Sequence, residues 1–252
     1  MTKVIILGTS SAVPDDKHEN THLAVVGQGH TVLIDCASTP IVRLKKAGID
    51  FNGLSDIILT HFHPDHVSGV PLLLMNMWVL GRRKALNIYG LHHTLERVED
   101  LMGFHGWSSW PDFFPVAFFR LPNEDMTSVL ENDEFRIFSS PVKHLVPTIG
   151  LRIEFLKQDK ILAYSSDTEP CPQTIALAAG ADVLIHEATG AETGHSSASQ
   201  AAGIARESGS KALYLIHYPT GEFYSDAMID EAKEVFSGEV KLAEDFMELN
   251  FD

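Results

Sequence analysis

The chain has 252 residues, 44% of them hydrophobic and 21% charged, which is enough apolar content to bury a sizeable core and too much for a disordered chain. Its 34 acidic against 19 basic side chains give a formal charge of -15, which repels a phosphate backbone at long range and argues against a general nucleic-acid binder. The same charge leaves room for an enzyme that reaches phosphate esters through bound cations.

In chain order, residues 3–7, 22–26 and 31–35 read as three short strands. The stretch 39–48, TPIVRLKKAG, predicts a helix with Thr39 as N-cap, Pro40 at the first helical position and Gly48 as its stop. A strand over 56–60 runs into 60–69, THFHPDHVSG, and 70–80 predicts a helix flanked by Pro71 and Gly81. That apolar run is too short to span a bilayer and contains Asn76, and the first residues lack a signal-peptide pattern, so no membrane association is expected.

Residues 86–89 read as a strand and 94–102 as an amphipathic helix. The aromatic stretch 104–119, with Trp107 and Trp110, has three open readings: core packing, a rim around a site, or a dimer surface. Residues 135–138, 150–155 and 161–164 follow as strands, the last two joined by the turn 157–160. Helix and strand then alternate: helix 172–179, strand 181–185, a capping box from Ser197 to Gln200 opening a helix to 208, strand 212–216 and helix 226–236. The two halves share this rhythm without an exact repeat, and the pattern predicts sheets inside and helices outside. No linker marks a boundary, so one domain over 1–252 is expected. Cys36 and Cys171 form no C-x-x-C pair, which fits a reducing cytoplasm.

Within 60–69, His61, His63, Asp65 and His66 place three imidazoles and a carboxylate in six residues. Extended backbone at a strand end projects His61 and His63 to one side, and Pro64 turns the chain so that Asp65 and His66 come round the same point. These nitrogen and oxygen ligands suit a borderline dication: zinc above all, with manganese or iron compatible. Six adjacent residues cannot surround a metal, and His144, Asp167 and His217 each stand where a predicted strand hands over to a loop. Seven ligands exceed one ion and fit two divalent metal ions with a bridging carboxylate, an arrangement suited to hydrolysis. His195 precedes a helix whose Ser197 and first-turn N–H groups could hold an anion, and Glu187 ends the strand region before it.

Taken together, GTSSAVP at 8–14, LIDC at 33–36, THFHPDHVSG, KHLVP at 143–147, SDT at 166–168, HEAT at 186–189, GHS at 194–196 and His217 resemble the metallo-β-lactamase superfamily. Within it, HEAT followed by GHS is similar to the ribonuclease Z branch, the transfer-RNA 3'-processing endonucleases and their phosphodiesterase relatives. The resemblance spans almost the whole chain and implies an α/β fold, a four-layer αββα sandwich. It also implies His61, His63 and His144 on one metal and Asp65, His66 and His217 on the other, with Asp167 and a water between them. Asp65 would double as the base, His195 would donate a proton to the leaving oxygen, and Glu187 would orient His195. His186 is left outside the catalytic set.

Two departures bear on the substrate. The arm that this branch usually carries between the positions of His144 and Asp167 is absent, and the branch's DCGEGTQ stretch is replaced by DCASTP at 35–40. The basic cluster at 81–84, GRRK, reads as solvated helix-end charge, with phosphate contact as the other reading. The expectation is a cytoplasmic, metal-dependent phosphodiesterase acting on a small nucleotide-like substrate rather than RNA. Ribonuclease Z-type cleavage of transfer-RNA 3' ends, ester or lactone hydrolysis, and a non-catalytic metal-binding interaction protein are the alternatives. The resemblance also implies a homodimer through the helix at 70–80.

Overall fold

The computed structural model describes residues 2–251. The first half runs β1 (Lys3–Gly8), β2 (His22–Val26), β3 (Thr31–Ile34), α1 (Pro40–Lys46), β4 (Leu54–Ile58), α2 (Pro64–Val67), α3 (Val70–Val79), β5 (Leu86–Leu91), α4 (His92–Phe104) and β6 (Val116–Leu121). The second half runs β7 (Thr127–Glu131), β8 (Phe135–Val142), β9 (Thr148–Phe155), β10 (Lys160–Tyr164), α5 (Pro172–Leu177), β11 (Val183–Glu187), α6 (Ala198–Ser208), β12 (Ala212–Ile216), α7 (Met228–Val235), β13 (Glu239–Leu242) and β14 (Glu248–Asn250).

Two seven-stranded sheets result, ordered β14-β1-β2-β3-β4-β5-β6 and β13-β12-β11-β10-β9-β8-β7. The reason is visible in β1, where five successive residues are buried. Val4 and Ile6 face the other sheet, while Ile5 and Leu7 face the helices, so each strand must be covered on both sides. The second sheet repeats this, with Leu162 and Ile185 turned inward and Ala163 and Leu184 packed under α5 to α7. The fold is the expected four-layer αββα sandwich.

Four predicted features change in detail. The histidine stretch contains a helical turn, α2, that its sequence did not announce. The edge strands β7, β13 and β14 were not predicted, because short edge strands carry little continuous apolar pattern, and β6, VAFFRL, lay hidden in the end of the aromatic stretch. In the 104–119 stretch, Phe114 is 2% exposed and Trp107, Trp110 and Phe113 pack partly buried on the outer core, while Phe104 stands 89% exposed, so core packing accounts for the rings at 107–114 and not for the whole stretch. Arg82 of the basic cluster is neither solvated nor turned to a phosphate. It is 1% exposed, and its guanidinium donates to the carbonyls of Phe51, Leu54, Lys84 and Ala85.

Strands β3 to β6 run parallel, as do β10 to β13. The loops after β3, β4, β10, β11 and β12 therefore leave from carboxyl ends, where open parallel sheets place their sites. Among the described residues no helix is long and apolar enough to cross a membrane.

Candidate metal centre

His61 follows β4, and His63 caps the N-terminus of α2, so this single turn carries Asp65 and His66 round toward them. His144 stands between β8 and β9, Asp167 follows β10, and His217 follows β12 directly. Two groups form, His61 with His63, His144 and Asp167, and Asp65 with His66 and His217, each with ligand atoms within 4.8 Å of one another. Asp167 joins them: its Oδ2 lies 3.8 Å from His61 Nε2, 3.9 Å from His144 Nε2, and 3.5 Å from Nε2 of both His66 and His217. Its other oxygen, Oδ1, is buried without a hydrogen-bond partner.

The second nitrogen of each ring fixes which atom faces inward. His66 Nδ1 donates to Asp35 Oδ2 at 2.8 Å and His144 Nδ1 to the Gly194 carbonyl at 2.7 Å, acceptors that hold no proton of their own. Thr60 gives its hydroxyl proton to Asp35 and so accepts from His61 Nδ1 at 3.1 Å. Thr189 likewise donates to the His217 carbonyl and accepts from His217 Nδ1 at 2.9 Å. Nε2 of these rings therefore faces the cluster and, wherever the ring is neutral, carries its lone pair there. His63 Nδ1 stands 3.1 Å from His61 Nε2 and 3.2 Å from His144 Nε2, and the Nε2 atoms of His66 and His217 are 3.4 Å apart. Nitrogens this close need a proton or a cation between them, and the nitrogen and oxygen donor set fits a dinuclear zinc-like site.

The electrostatics agree. Burial drives His61 well below its ordinary pKa and lowers His63 and His144, which keeps these rings neutral as ligands must be. Burial raises the Asp65 carboxyl, but the His217 hydrogen bond and the His66 charge outweigh it and hold it at about 2. Asp167 is held well below the carboxylate range, because His217 and His66 overcome its burial. His66 goes the other way: burial lowers it, but Asp167 and Asp35 on either side pull it well above its usual value, so a cation there displaces a proton.

Beside the second group, Glu187 has no exposed surface and acts as a hub. Its Oε1 accepts from His195 Nδ1 at 3.0 Å, Thr168 N at 3.0 Å and Ser196 N at 3.1 Å, and its Oε2 accepts from Thr189 N at 2.9 Å. Burial lowers the His195 pKa, and the Glu187 carboxylate more than reverses this. His195 also groups geometrically with Asp167 and His217, so its ring borders the second ligand set. The Ser197 hydroxyl oxygen accepts from Gln200 N in the capping box and lies 3.1 Å from the Ser199 hydroxyl. His186 is buried and turned toward the helix layer, outside the cluster.

Asp35 was overlooked as a site residue, although it ends a strand just as Asp167 and His217 do. It is fully buried and holds Thr60 and His66 together. Thr189, Gly194 and Thr60 were missed for the same reason: their types carry no metal signature, and only the need of every ligating imidazole for a second partner points to them. Asp35, Ser166 and His217 all have φ between 51° and 60°, a left-handed conformation that side chains resist, concentrated where three strands deliver site residues.

A family model described as anti-Pycsar protein Apyc1 matches residues 2–236. A ribonuclease Z of Methanothermobacter thermautotrophicus is 30% identical over 291 aligned residues, covering 94% of this chain and 92% of that protein. The metallo-β-lactamase fold protein YhfI from Bacillus subtilis superposes with a TM-score of 0.84 at 24% identity, covering 98% of each chain. The short form of human tRNase Z, ELAC1, gives 0.81 at 22% identity, covering 99% of each.

Proposed function

We propose, for a chain that belongs to the anti-Pycsar protein Apyc1 family on the ribonuclease Z-like branch of the metallo-β-lactamase superfamily and is a metal-dependent hydrolase, that it cleaves phosphodiester bonds. The observation that carries this reading is the Asp167 carboxylate oxygen within 3.9 Å of imidazole nitrogens from both ligand groups. His61, His63 and His144 would hold one cation and Asp65, His66 and His217 the other, with Asp167 reaching both. Two cations in such a pair supply an acidified water and positive charge for the phosphate oxygens.

The chain's own residues then divide the proton traffic. Asp65 is the carboxylate of the centre with access to solvent, at 14% side-chain exposure, and accepts the proton of the attacking water as its oxygen bonds to phosphorus. His195, its Nδ1 fixed by Glu187, offers Nε2 to the leaving oxygen and gives it a proton as the phosphorus–oxygen bond breaks. Glu187 also fixes Thr168 N beside Asp167 and Thr189 N beside His217, so one carboxylate sets the proton donor and both neighbouring ligands.

For the substrate, the names of the curated relatives back ribonuclease Z-type cleavage of transfer-RNA 3' ends better than the small nucleotide-like diester. One specific observation favours the small diester. Between His144 and Asp167 the chain holds only β9, a four-residue turn and β10, with no protruding arm. The alignment to the Methanothermobacter relative spans 291 positions, more than this chain's 252 residues, so that relative carries insertions absent here.

Bis-p-nitrophenyl phosphate assayed beside a precursor transfer RNA separates the two substrates. Accurate 3'-trailer removal establishes the ribonuclease reading, and cleavage of the small diester alone establishes the other. Elemental analysis should find close to two zinc-like ions per chain, and His61→Ala should lose metal and activity together. One ion or none in active protein overturns the dinuclear centre. The homodimer expected through α3 has a physical basis in Leu72, Met75, Val79 and Leu80, all exposed on one short segment, and sedimentation at micromolar concentration tests it.

A further inference from the structure

Three loops meet beside His144, and one carboxylate outside the ligand set ties them together. Glu169 lies two residues beyond Asp167, in the loop after β10. Its backbone N donates to the Lys143 carbonyl at 2.8 Å, and Lys143 N donates to Thr168 Oγ1 at 3.1 Å. The loops after β8 and β10 thus run side by side as an isolated antiparallel bridge. The Glu169 side chain adds the third loop, the one between β11 and α6. Its Oε2 pairs with Lys143 Nζ at 2.5 Å, and its Oε1 accepts from Gly194 N at 3.0 Å.

Gly194 is thereby held from both sides. Glu169 takes its N–H, and its carbonyl accepts from His144 Nδ1 at 2.7 Å. At φ +87° a Cβ here would stand 3.0 Å from both His144 Nδ1 and Leu145 Cγ, so the approach to His144 has room only for glycine. The next residue is His195, whose ring centroid lies 4.9 Å from that of His144. Glu187 fixes the His195 side chain, but the backbone leading to it, 191–193, is exposed and runs between two glycines of positive φ. Glu169 pins that loop where it reaches the centre. Lys143 is 65% exposed and Glu169 25%, and an ion pair so open to water contributes little to folding. What the contact fixes is a position.

We propose that Glu169 is a positioning residue that acts through Gly194 on two groups at once, the metal ligand His144 and the proton donor His195. The His144 half rests on the ligand set alone; the His195 half rests on the phosphodiesterase reading. The Gly194 carbonyl is the partner that turns His144 Nε2 toward the cluster, so a carbonyl free to drift loosens that ligand. The same drift carries the His195 backbone away from the geometry in which its ring meets the leaving oxygen.

The test compares Glu169→Ala, which removes the acceptor, with Glu169→Gln, which keeps an oxygen for Gly194 N and drops the charge. In chelator competition for zinc, Glu169→Ala should weaken one of the two sites about tenfold, the low end for a group behind a metal ligand. Glu169→Gln should recover most of that loss. On bis-p-nitrophenyl phosphate with both sites saturated, Glu169→Ala should lower kcat about tenfold while KM stays near its wild-type value, and Glu169→Gln should again recover. The Tm of the metal-free protein should be the same in all three. Zinc affinity unchanged in Glu169→Ala, a loss that Glu169→Gln does not recover, or a matching fall in metal-free Tm each overturns the proposal. Should the wild type leave the diester intact, the phosphodiesterase reading fails, and zinc competition still decides the role of Glu169.

Discussion

The carboxylate of Asp35 shows how much of this site depends on groups that would touch neither metal nor substrate. Buried at the end of β3, it accepts from Thr60 N, from the Thr60 hydroxyl and from His66 Nδ1, and so sets the ring angle of His66 directly and of His61 through Thr60. Asp35→Asn keeps the shape but removes the charge, and its amide group cannot accept at both oxygen positions. Metal affinity measured by chelator competition should fall by about 10–100-fold. Unchanged affinity would mean that the His66 ring is held by packing alone. The H-x-H-x-D-H pattern was legible in the sequence because imidazole and carboxylate advertise their chemistry at any position. Asp35, Thr60 and Thr189 were not, since an aspartate or threonine becomes a positioning group only through the residue it faces.

At the scale of elements, one clasp joins the two sheets at the end away from the metal centre. Glu134, in the turn between β7 and β8, accepts from Gln28 N at 2.6 Å and Gly29 N at 3.1 Å in the turn between β2 and β3. Gly27 lies so close that a Cβ there would meet the carboxylate at 2.5 Å. Burial raises the Glu134 pKa, and the two N–H groups outweigh it, so the net shift is downward. The stabilisation is therefore complete above the ordinary glutamate range and is lost as pH falls through the depressed folded value. Glu134→Gln should cost about 1.5 kcal/mol at neutral pH, the low end for charged hydrogen bonds because the turn lies near solvent. In urea titrations the gap between the two proteins should close toward pH 3. A gap that persists in acid would assign the loss to packing. Most helices were legible from caps and periodicity, including the Ser197–Gln200 box. Strands such as β14, three residues reading ELN, were not, because only pairing with β1 makes them strands.

For the whole molecule, the centre sits between loops from both sheets, so cations bound there link the two halves of the fold. His61, Asp65 and His66 come from the first sheet's loops, and His144, Asp167 and His217 from those of the second. Binding to the folded chain alone adds about 4 kcal/mol per site at a thousandfold excess over Kd, and a chain of this size gains roughly 2–4 °C per kcal/mol. Zinc added to chelator-treated protein should raise Tm by roughly 10 °C or more, and His217→Ala should remove a large part of that rise. A Tm indifferent to zinc would show that the halves are held by the core alone.

By itself the sequence determined the kind of chemistry and the layered architecture. Ligand types, strand-end positions and apolar runs are local properties that survive without coordinates. Only the tertiary structure decided that Asp167 reaches both ligand groups, that Glu187 ties His195 to Thr168 and Thr189, and that Arg82 is a buried brace. These are relations between residues up to 156 positions apart, from His61 to His217. They are fixed by sheet register and by where parallel strands end, which no single stretch of sequence contains.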